Sequence, residues 1–364
     1  MAAFLDRTER AKVRFNQLFI REGANMTALY IASLAESQGK TALCAAIGKW
    51  LREKGKKVGY FKPVRNSQTP DKDTAFLKKI LSLEEPLEQL SPANINEAPA
   101  DIESKVKAAY EIVSKGKDIV IVEGIGGLGN DGAATQASLK IISLLSAQVL
   151  LIAHYSAKTS ADIQTAASKV KEHLQGAVIN AVPSGRFAQV KDTLKAELQG
   201  KGIKVLGVLP QHRSLFTVSV SELVENLGGK QIVPVTDSGR LVENLMIGVH
   251  SPDSALLYYN RKPNKAAIIR GDRSDMQLAA TQTSTRCLVL TGDKMPMPFI
   301  IAEAKNKGIP IIVFPKDLLA AIEQVENLLN QARFHQKEKL EVMGQLMTKN
   351  FDFEALLQGL GFKS

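Results

Sequence analysis

Short β-rich runs and longer helical stretches alternate through the first two thirds of the chain. The run "TALYIAS" (27 to 33) predicts a strand, Lys40 to Glu53 an amphipathic helix, and "KKVGYFKPV" a second strand. A helix is expected near Asp73 to Leu83, then a looser region, "SLEEPLEQLSPANINEAPA", then a helix from Asp101 to about Ser114. Further strands are predicted at "DIVIVEG", "AQVLLIAHY", "GAVINAV" and "KVLGVLP", with helices between them. Repeated β-α units predict a parallel sheet with both faces covered. The stretch 118 to 123, almost uninterrupted Ile and Val, is expected near its centre.

The pattern changes after "GVLPQHR". The segment "KQIVPVTDSGRLVENLMIG" reads as a terminal strand and then a new start, and from about Asp237 to Asn330 the alternation resumes on a smaller scale. The predicted organisation is an extension over 1–26, a first α/β domain over 27–230, a second over 235–330 and a helical tail over 331–364. In the tail, Leu340, Met343, Leu346 and Met347 recur at helical spacing, as expected of a helix packed on a domain. The N-terminal stretch mixes basic residues with Asp6, Glu9 and Glu22 and has no continuous apolar segment, so it is not a secretory signal; Met26 is a candidate alternative start.

Composition narrows the class. With 364 residues, 45% hydrophobic and 23% charged, the chain is long enough for two cores. No apolar run approaches the roughly 18 residues of a membrane helix. Cys44 and Cys287 lie in apolar surroundings and are expected as core residues, which suits a reducing cytoplasm. The formal charge of +10 raises a nucleic-acid reading, but acids are interspersed with the bases, and aromatics amount to only 5%. The densest basic stretch, Lys49 to Lys62, spans a helix end and a strand. A solvated basic surface or attraction for anionic metabolites is expected, with neither nucleic acid nor membrane as partner.

The candidate chemistry begins with "SLAESQGKTAL". A phosphate loop needs a strand, a turn whose backbone can approach an anion, and Gly-Lys-Thr where a helix begins. Here the flanking strand and helix are predicted, but the opening glycine is missing: Leu34 falls at its usual position, and Ser33 opens a loop one residue longer. The tripeptide alone is equally well a turn containing a lysine. Further along, Lys62 precedes Pro63 at a strand end, which places it at the carboxyl edge of the sheet, where ligands of such folds bind. Asp71 and Asp73 stand at a helix start, and Glu123 ends the central strand before a glycine-rich turn containing Gly126, whose backbone can approach a ligand. Each of these is separately explained as an exposed strand end or a helix cap. The five histidines show no metal-ligand spacing, and no nucleophile elbow is present. Arg270, Asp272, Arg273 and Asp275 cluster just before a helix, where a cap is the base expectation and a ligand site the alternative.

Taken in order, "GKT", "GYFKPV", "DKDTAFL", "VEGIGGL" and "VINAVP" resemble the dethiobiotin synthetase fold, and more closely the synthetase-like N-terminal domain of long bacterial phosphate acetyltransferases. This resemblance covers roughly residues 27 to 225. From about 235 to 330, "IIRGDRSDMQLAA" and "CLVLTGDKMP" resemble the DRTGG domain that follows it, with Asp272 and Arg273 retained and Ser274 and Asp275 departing from its motif. The resemblance implies an α/β fold with a P-loop NTPase-type parallel sheet, helices on both faces, followed by a smaller α/β DRTGG domain.

It also implies ATP and Mg2+ as cofactors. Ser37, Gly39, Lys40, Thr41, Gly126 and Asn180 are implied on the nucleotide, with Asn180 reading the base; Thr41, Asp73 and Glu123 on the metal; and Lys62 at the reaction centre. Ser37 stands where the synthetase loop carries an acid, and Asn66 where it carries a serine, so diamine chemistry is not expected. Phosphate acetyltransferase activity is not expected either, because that catalytic domain would follow the DRTGG domain. The expectation is a cytoplasmic nucleotide- or metabolite-sensing regulatory protein, related to the N-terminal region of phosphate acetyltransferase. The alternative is an ATP-dependent ligase acting on a carboxylate or carbamate through an acyl phosphate. A small-molecule ligand of the second domain, and a homo-oligomer or metabolic enzyme as partner, are left open.

Overall fold

A computed structural model describes residues 26–65, 71–237, 239–330, 334 and 336–362. The expected N-terminal extension, apart from Met26, and Asn66 and His335 lie outside the described residues. Two compact units are present: one holds the chain up to Gln211 and again from Met343, the other His212–Val342.

The first unit is built on six parallel strands, β1 (Thr27–Ser33), β2 (Val58–Phe61), β3 (Ile119–Gly127), β4 (Gln148–His154), β5 (Leu174–Val182) and β6 (Val205–Pro210), in the order β2-β3-β1-β4-β5-β6. Between them lie α1 (Lys40–Glu53), α2 (Lys72–Ile80), α3 (Pro99–Val113), α4 (Ala133–Leu144), α5 (Thr159–Lys169) and α6 (Phe187–Gly200), with a single helical turn, Leu87–Leu90, between α2 and α3. Consecutive residues Leu29 to Ala32, and likewise Ile119 to Val122, are fully buried, which requires cover on both sheet faces. Each such aliphatic side chain contributes roughly 1.5–3 kcal/mol of burial free energy. The apolar run of β3 is therefore interior, between β1 and β2, as its composition predicts.

Strand order places the candidate chemistry. From β1 the chain moves out to β2, returns to β3, then crosses to β4 on the other side of β1. The carboxyl ends of β1 and its two neighbours form the switch point at which open α/β sheets bind ligands.

The second unit carries β7 (Lys230–Val233), β8 (Asn244–Gly248), β9 (Lys265–Arg270), β10 (Thr285–Thr291) and β11 (Ile311–Phe314), in the order β7-β11-β10-β9-β8. All neighbours are parallel except β7, which runs antiparallel to β11. The segment "KQIV", expected as a terminal strand of the first domain, is instead the edge strand of this second sheet. Its partner lies some eighty positions downstream, beyond the reach of local pattern. Helices α7 (Val220–Leu227), α8 (Pro252–Asn260), α9 (Ser274–Thr281), α10 (Pro298–Asn306) and α11 (Leu318–Asn330) complete this unit. Ser219 and Glu222 close a capping box at the start of α7, and left-handed Gly228 ends it.

Helices α12 (Lys337–Asn350) and α13 (Phe353–Gly359) end the described chain. The predicted stripe is largely buried, with Leu340, Met343 and Met347 in the interior. Beyond α12 the chain lies on the first unit: Phe351 bridges Gly207 on edge strand β6, and the Asp352 N–H donates to the Leu206 carbonyl at 2.8 Å. Phe353 stacks on Trp50 of α1 with ring centroids 4.2 Å apart.

Candidate functional site

Between β1 and α1, residues 34–39 form the loop predicted from Gly-Lys-Thr. Gly39 adopts a left-handed conformation, φ 99°, as the residue before the helix, and no side chain caps the helix there. The first amides of α1 thus remain available to an anion, reinforced by the positive end of the helix dipole. Ser37, exposed, also has a positive φ, 56°, uncommon for a residue with a Cβ. Ser33 is fully buried; its hydroxyl donates to the Ala35 carbonyl at 2.6 Å and accepts from the Lys40 ammonium at 2.9 Å. The residue that opens the longer loop therefore holds the loop lysine.

The glycines expected in a turn after Glu123 are instead the end of β3 as far as Gly127, and this end closes against the loop. Leu128 N–H donates to the Ser33 carbonyl at 2.7 Å and Gly129 N–H to the Leu34 carbonyl at 3.0 Å. A Cβ on Gly127 would overlap the Leu34 carbonyl oxygen, so the close approach that requires glycine here is to the loop backbone. Gly126, expected on the nucleotide, is required for another reason: its Cβ would come 2.7 Å from Ala134 in α4. Asn180, expected to read a base, donates its amide to the Gln38 carbonyl at 3.0 Å and so holds the loop from the side. Ala181 beside it has φ 56°, and the β5–β6 register shifts between Ile179 and Val182.

Thr41, Lys62, Asp71, Asp73 and Glu123 come together at the end of β2, along β3 and at the starts of α1 and α2; Glu123, expected to end its strand, instead lies midway along β3, which runs on through Gly127. Thr41 donates its hydroxyl to Glu123 Oε1 at 2.8 Å. The Lys62 ammonium pairs tightly with Asp71 and lies 3.5 Å from Asp73 and 3.8 Å from Glu123. Asp71 also caps α2, accepting from Asp73 N–H at 3.1 Å and the Thr74 hydroxyl at 3.2 Å. Its role was legible as a helix start, but its pairing with Lys62 was not. Tyr60, unremarked within "VGYFKPV", is the second unrecognised member: its fully buried hydroxyl donates to Glu123 Oε2 at 2.8 Å.

Burial and charge oppose one another across the site. Desolvation holds Lys40 below the usual lysine value, with Glu123 partly offsetting it. For Lys62 burial again acts downward, yet Glu123, Asp73 and Asp71 together hold its pKa above the ordinary value. Burial and then Glu123 push the Tyr60 phenol well up, and act alike on the Cys44 thiol in α1. Both cysteines are buried and free.

The donor set of Thr41, Asp73 and Glu123 is hydroxyl and carboxylate oxygen, which suits a small hard cation. Thr41 and Glu123 are joined directly, and Asp73 reaches them through Lys62. Among the described residues no group of three His, Cys, Asp or Glu side chains stands ready as a metal cluster. The charge cluster of the second unit is arranged differently: Arg270 pairs with Asp272 at 2.6 Å, and Arg273 with Asp275 at 2.7 Å while also donating to the His250 carbonyl.

A loop ending in Lys-Thr at a helix start, beside the central strand of a parallel sheet and an acid on the neighbouring strand, defines a domain of the P-loop NTPase type, here followed by a smaller α/β unit. The chain belongs to the AAA_26 family, whose profile, described as an AAA domain, matches residues 27–218, more than half of the chain. The DRTGG domain profile matches residues 222–328. The chain is 23% identical over 359 residues to phosphate acetyltransferase from Haemophilus influenzae, covering 86% of this chain and 50% of that protein. It is 35% identical over 111 residues to the ATP-dependent dethiobiotin synthetase BioD of Methanococcus vannielii, covering 28% of this chain and 52% of that protein. The chain thus spans about half the length of the curated relatives it matches. Among solved structures, MinD of Pyrococcus horikoshii complexed with Mg-ADP is 15% identical with a TM-score of 0.36, covering 52% of this chain and 83% of that one. The CBS and DRTGG domains of the regulatory region of Clostridium perfringens pyrophosphatase give 15% and 0.27, covering 40% and 71%. Likenesses at this level carry no argument, and the fold rests on the sheet order itself. Among the described residues no helix is long and apolar enough to cross a membrane.

Proposed function

We propose that the first unit binds ATP with Mg2+ and that the chain is a nucleotide- or metabolite-sensing regulatory protein of the cytoplasm, its DRTGG unit responding to a small-molecule ligand. The observation that carries this reading is the joint geometry of the loop: an uncapped helix start at Gly39, Lys40 held over the loop by Ser33, and Thr41 bonded to Glu123. On this reading the loop amides and Lys40 hold the terminal phosphates, and Thr41 with Asp73 and Glu123 holds the cation. Magnesium there would offset phosphate charge. Asn180 and Ser37 complete the nucleotide side.

The surroundings of Lys62 favour sensing over the ligase alternative. A ligase of carboxylates or carbamates needs a free cation to receive its anionic substrate, and here the ammonium is already paired tightly with Asp71. A metabolic enzyme or a second copy of the chain is the partner class to which such a sensor would report. Isothermal titration with ATP and ADP, with and without Mg2+, tests the reading: the expected result is Mg2+-dependent binding that Lys40→Ala removes. No heat at millimolar nucleotide, with Lys40→Ala indistinguishable from the unmodified protein, overturns it.

A further inference from the structure

We infer that Tyr60 is a positioning residue for the cation side of this site, acting through Glu123 on the Thr41 hydroxyl. The inference rests on the proposed nucleotide and cation binding and deepens it. Both oxygens of the Glu123 carboxylate are engaged, Oε1 by the Thr41 hydroxyl and Oε2 by the Tyr60 hydroxyl, each at 2.8 Å. A carboxylate held at one oxygen alone can still turn about its terminal torsion, which is broad and roughly two-fold. Held at both, it has one orientation. Tyr60 lies on β2, hydrogen-bonded in register to β3, and is fully buried, so its end of the chain is anchored to the sheet.

The direction of the hydrogen bonds gives the arrangement its use. Thr41 donates its only proton to Glu123, so the lone pairs of its oxygen are left for an incoming cation. Without the Tyr60 hydroxyl, Glu123 Oε2 would be a buried acceptor without its phenol donor, and the carboxylate would be drawn toward Lys62, 3.8 Å from Oε1. The Thr41 hydroxyl would then lose its fixed acceptor. Outer partners of this kind typically tune metal affinity by about 10–100-fold.

The test is ADP binding by isothermal titration, in Mg2+ and in EDTA, on the full chain. Tyr60→Phe keeps the ring and removes only the hydroxyl; Tyr110→Phe makes the same change at a buried tyrosine outside the site. The expected result for Tyr60→Phe is an EDTA affinity within about twofold of the unmodified protein and a Mg2+ enhancement reduced about tenfold, with the Tyr110→Phe enhancement unchanged. In a Thr41→Ala background, Tyr60→Phe should subtract less from the enhancement than in the unmodified background, since only the Glu123 contribution is left to lose, whereas a merely destabilising effect would subtract equally in both. An unmodified protein with Mg2+-enhanced binding and a Tyr60→Phe variant with the same enhancement overturns the inference alone. Absence of ADP binding in the unmodified protein overturns the proposed function and this inference with it.

Discussion

The two sheets follow the same β-α grammar and treat charge at their carboxyl ends in opposite ways. In the first unit Lys40, Lys62 and Glu123 are drawn largely out of solvent, and the Glu123 carboxylate acts on both lysines. In the second, Arg270 and Arg273 each meet an acid two positions away on the surface, and the partners are settled within one turn of chain. Buried charges act on one another strongly, whereas a solvent-facing pair costs little and contributes little.

The largest expected effect breaks the first edge. Lys40→Ala should weaken nucleotide binding on the order of a hundredfold, about 2.8 kcal/mol, measured by titration. Because burial depresses the Lys40 pKa, its charged form is disfavoured in the folded state. The same variant should therefore melt no lower than the unmodified protein in the absence of nucleotide. Next is Gly127→Ala, whose methyl would displace the Leu34 carbonyl: thermal denaturation should show a loss of about 1–3 kcal/mol. Gly185→Ala, where a Cβ meets nothing within 4 Å, should stay within about 0.5 kcal/mol.

A pH series sharpens the comparison from the other side. Lys265 in the second unit is fully buried, donates to the Ser284 carbonyl at 3.0 Å, and is pushed down by desolvation to about 8. Its folded pKa lies below the unfolded value of 10.5, so the unfolded chain binds the proton more tightly. The penalty is full at neutral pH and is relieved as pH rises from about 8 toward 10.5. Lys265→Met should accordingly melt a few degrees higher at pH 7, and the gap should narrow across that window; a gap that does not change with pH counts against buried charge as its cause. The smallest effect is expected at Arg273: Arg273→Ala should cost about 1 kcal/mol or less by chemical denaturation, since the Arg273–Asp275 pair is only half-buried.

Local pattern made much of this legible. The limits of α1 were read as Lys40 to Glu53 and are those of the structure, because an amphipathic run bounded by Gly39 and a Lys-Gly turn signals itself. The buried strands were equally plain in their Ile and Val content. Tyr60 was not legible, because a strand tyrosine that meets a carboxylate 63 positions later looks like any other aromatic strand residue. The ion pair of Asp71 with Lys62 was hidden for the same reason, behind the simpler signal of a cap. The glycine-rich stretch after Glu123, Gly126 with it, reads in the sequence as backbone that can approach a ligand. The space that Gly126 and Gly127 save is occupied by the protein's own α4 and loop backbone, a distinction that only packing reveals.

The return of the chain to the first unit after α12 bears on how one edge of its sheet is covered. Strand β6 is the last in its sheet, and a bare last strand offers a row of unmet peptide groups to any passing chain. Phe351 and Asp352 take up part of that row, at Gly207 and Leu206, while the Trp50–Phe353 stack clasps the segment in place. A polypeptide cut short at residue 342 would keep every group of the phosphate loop and lose this stopper. Its failure would then show as clumping on storage, with no change in its chemistry.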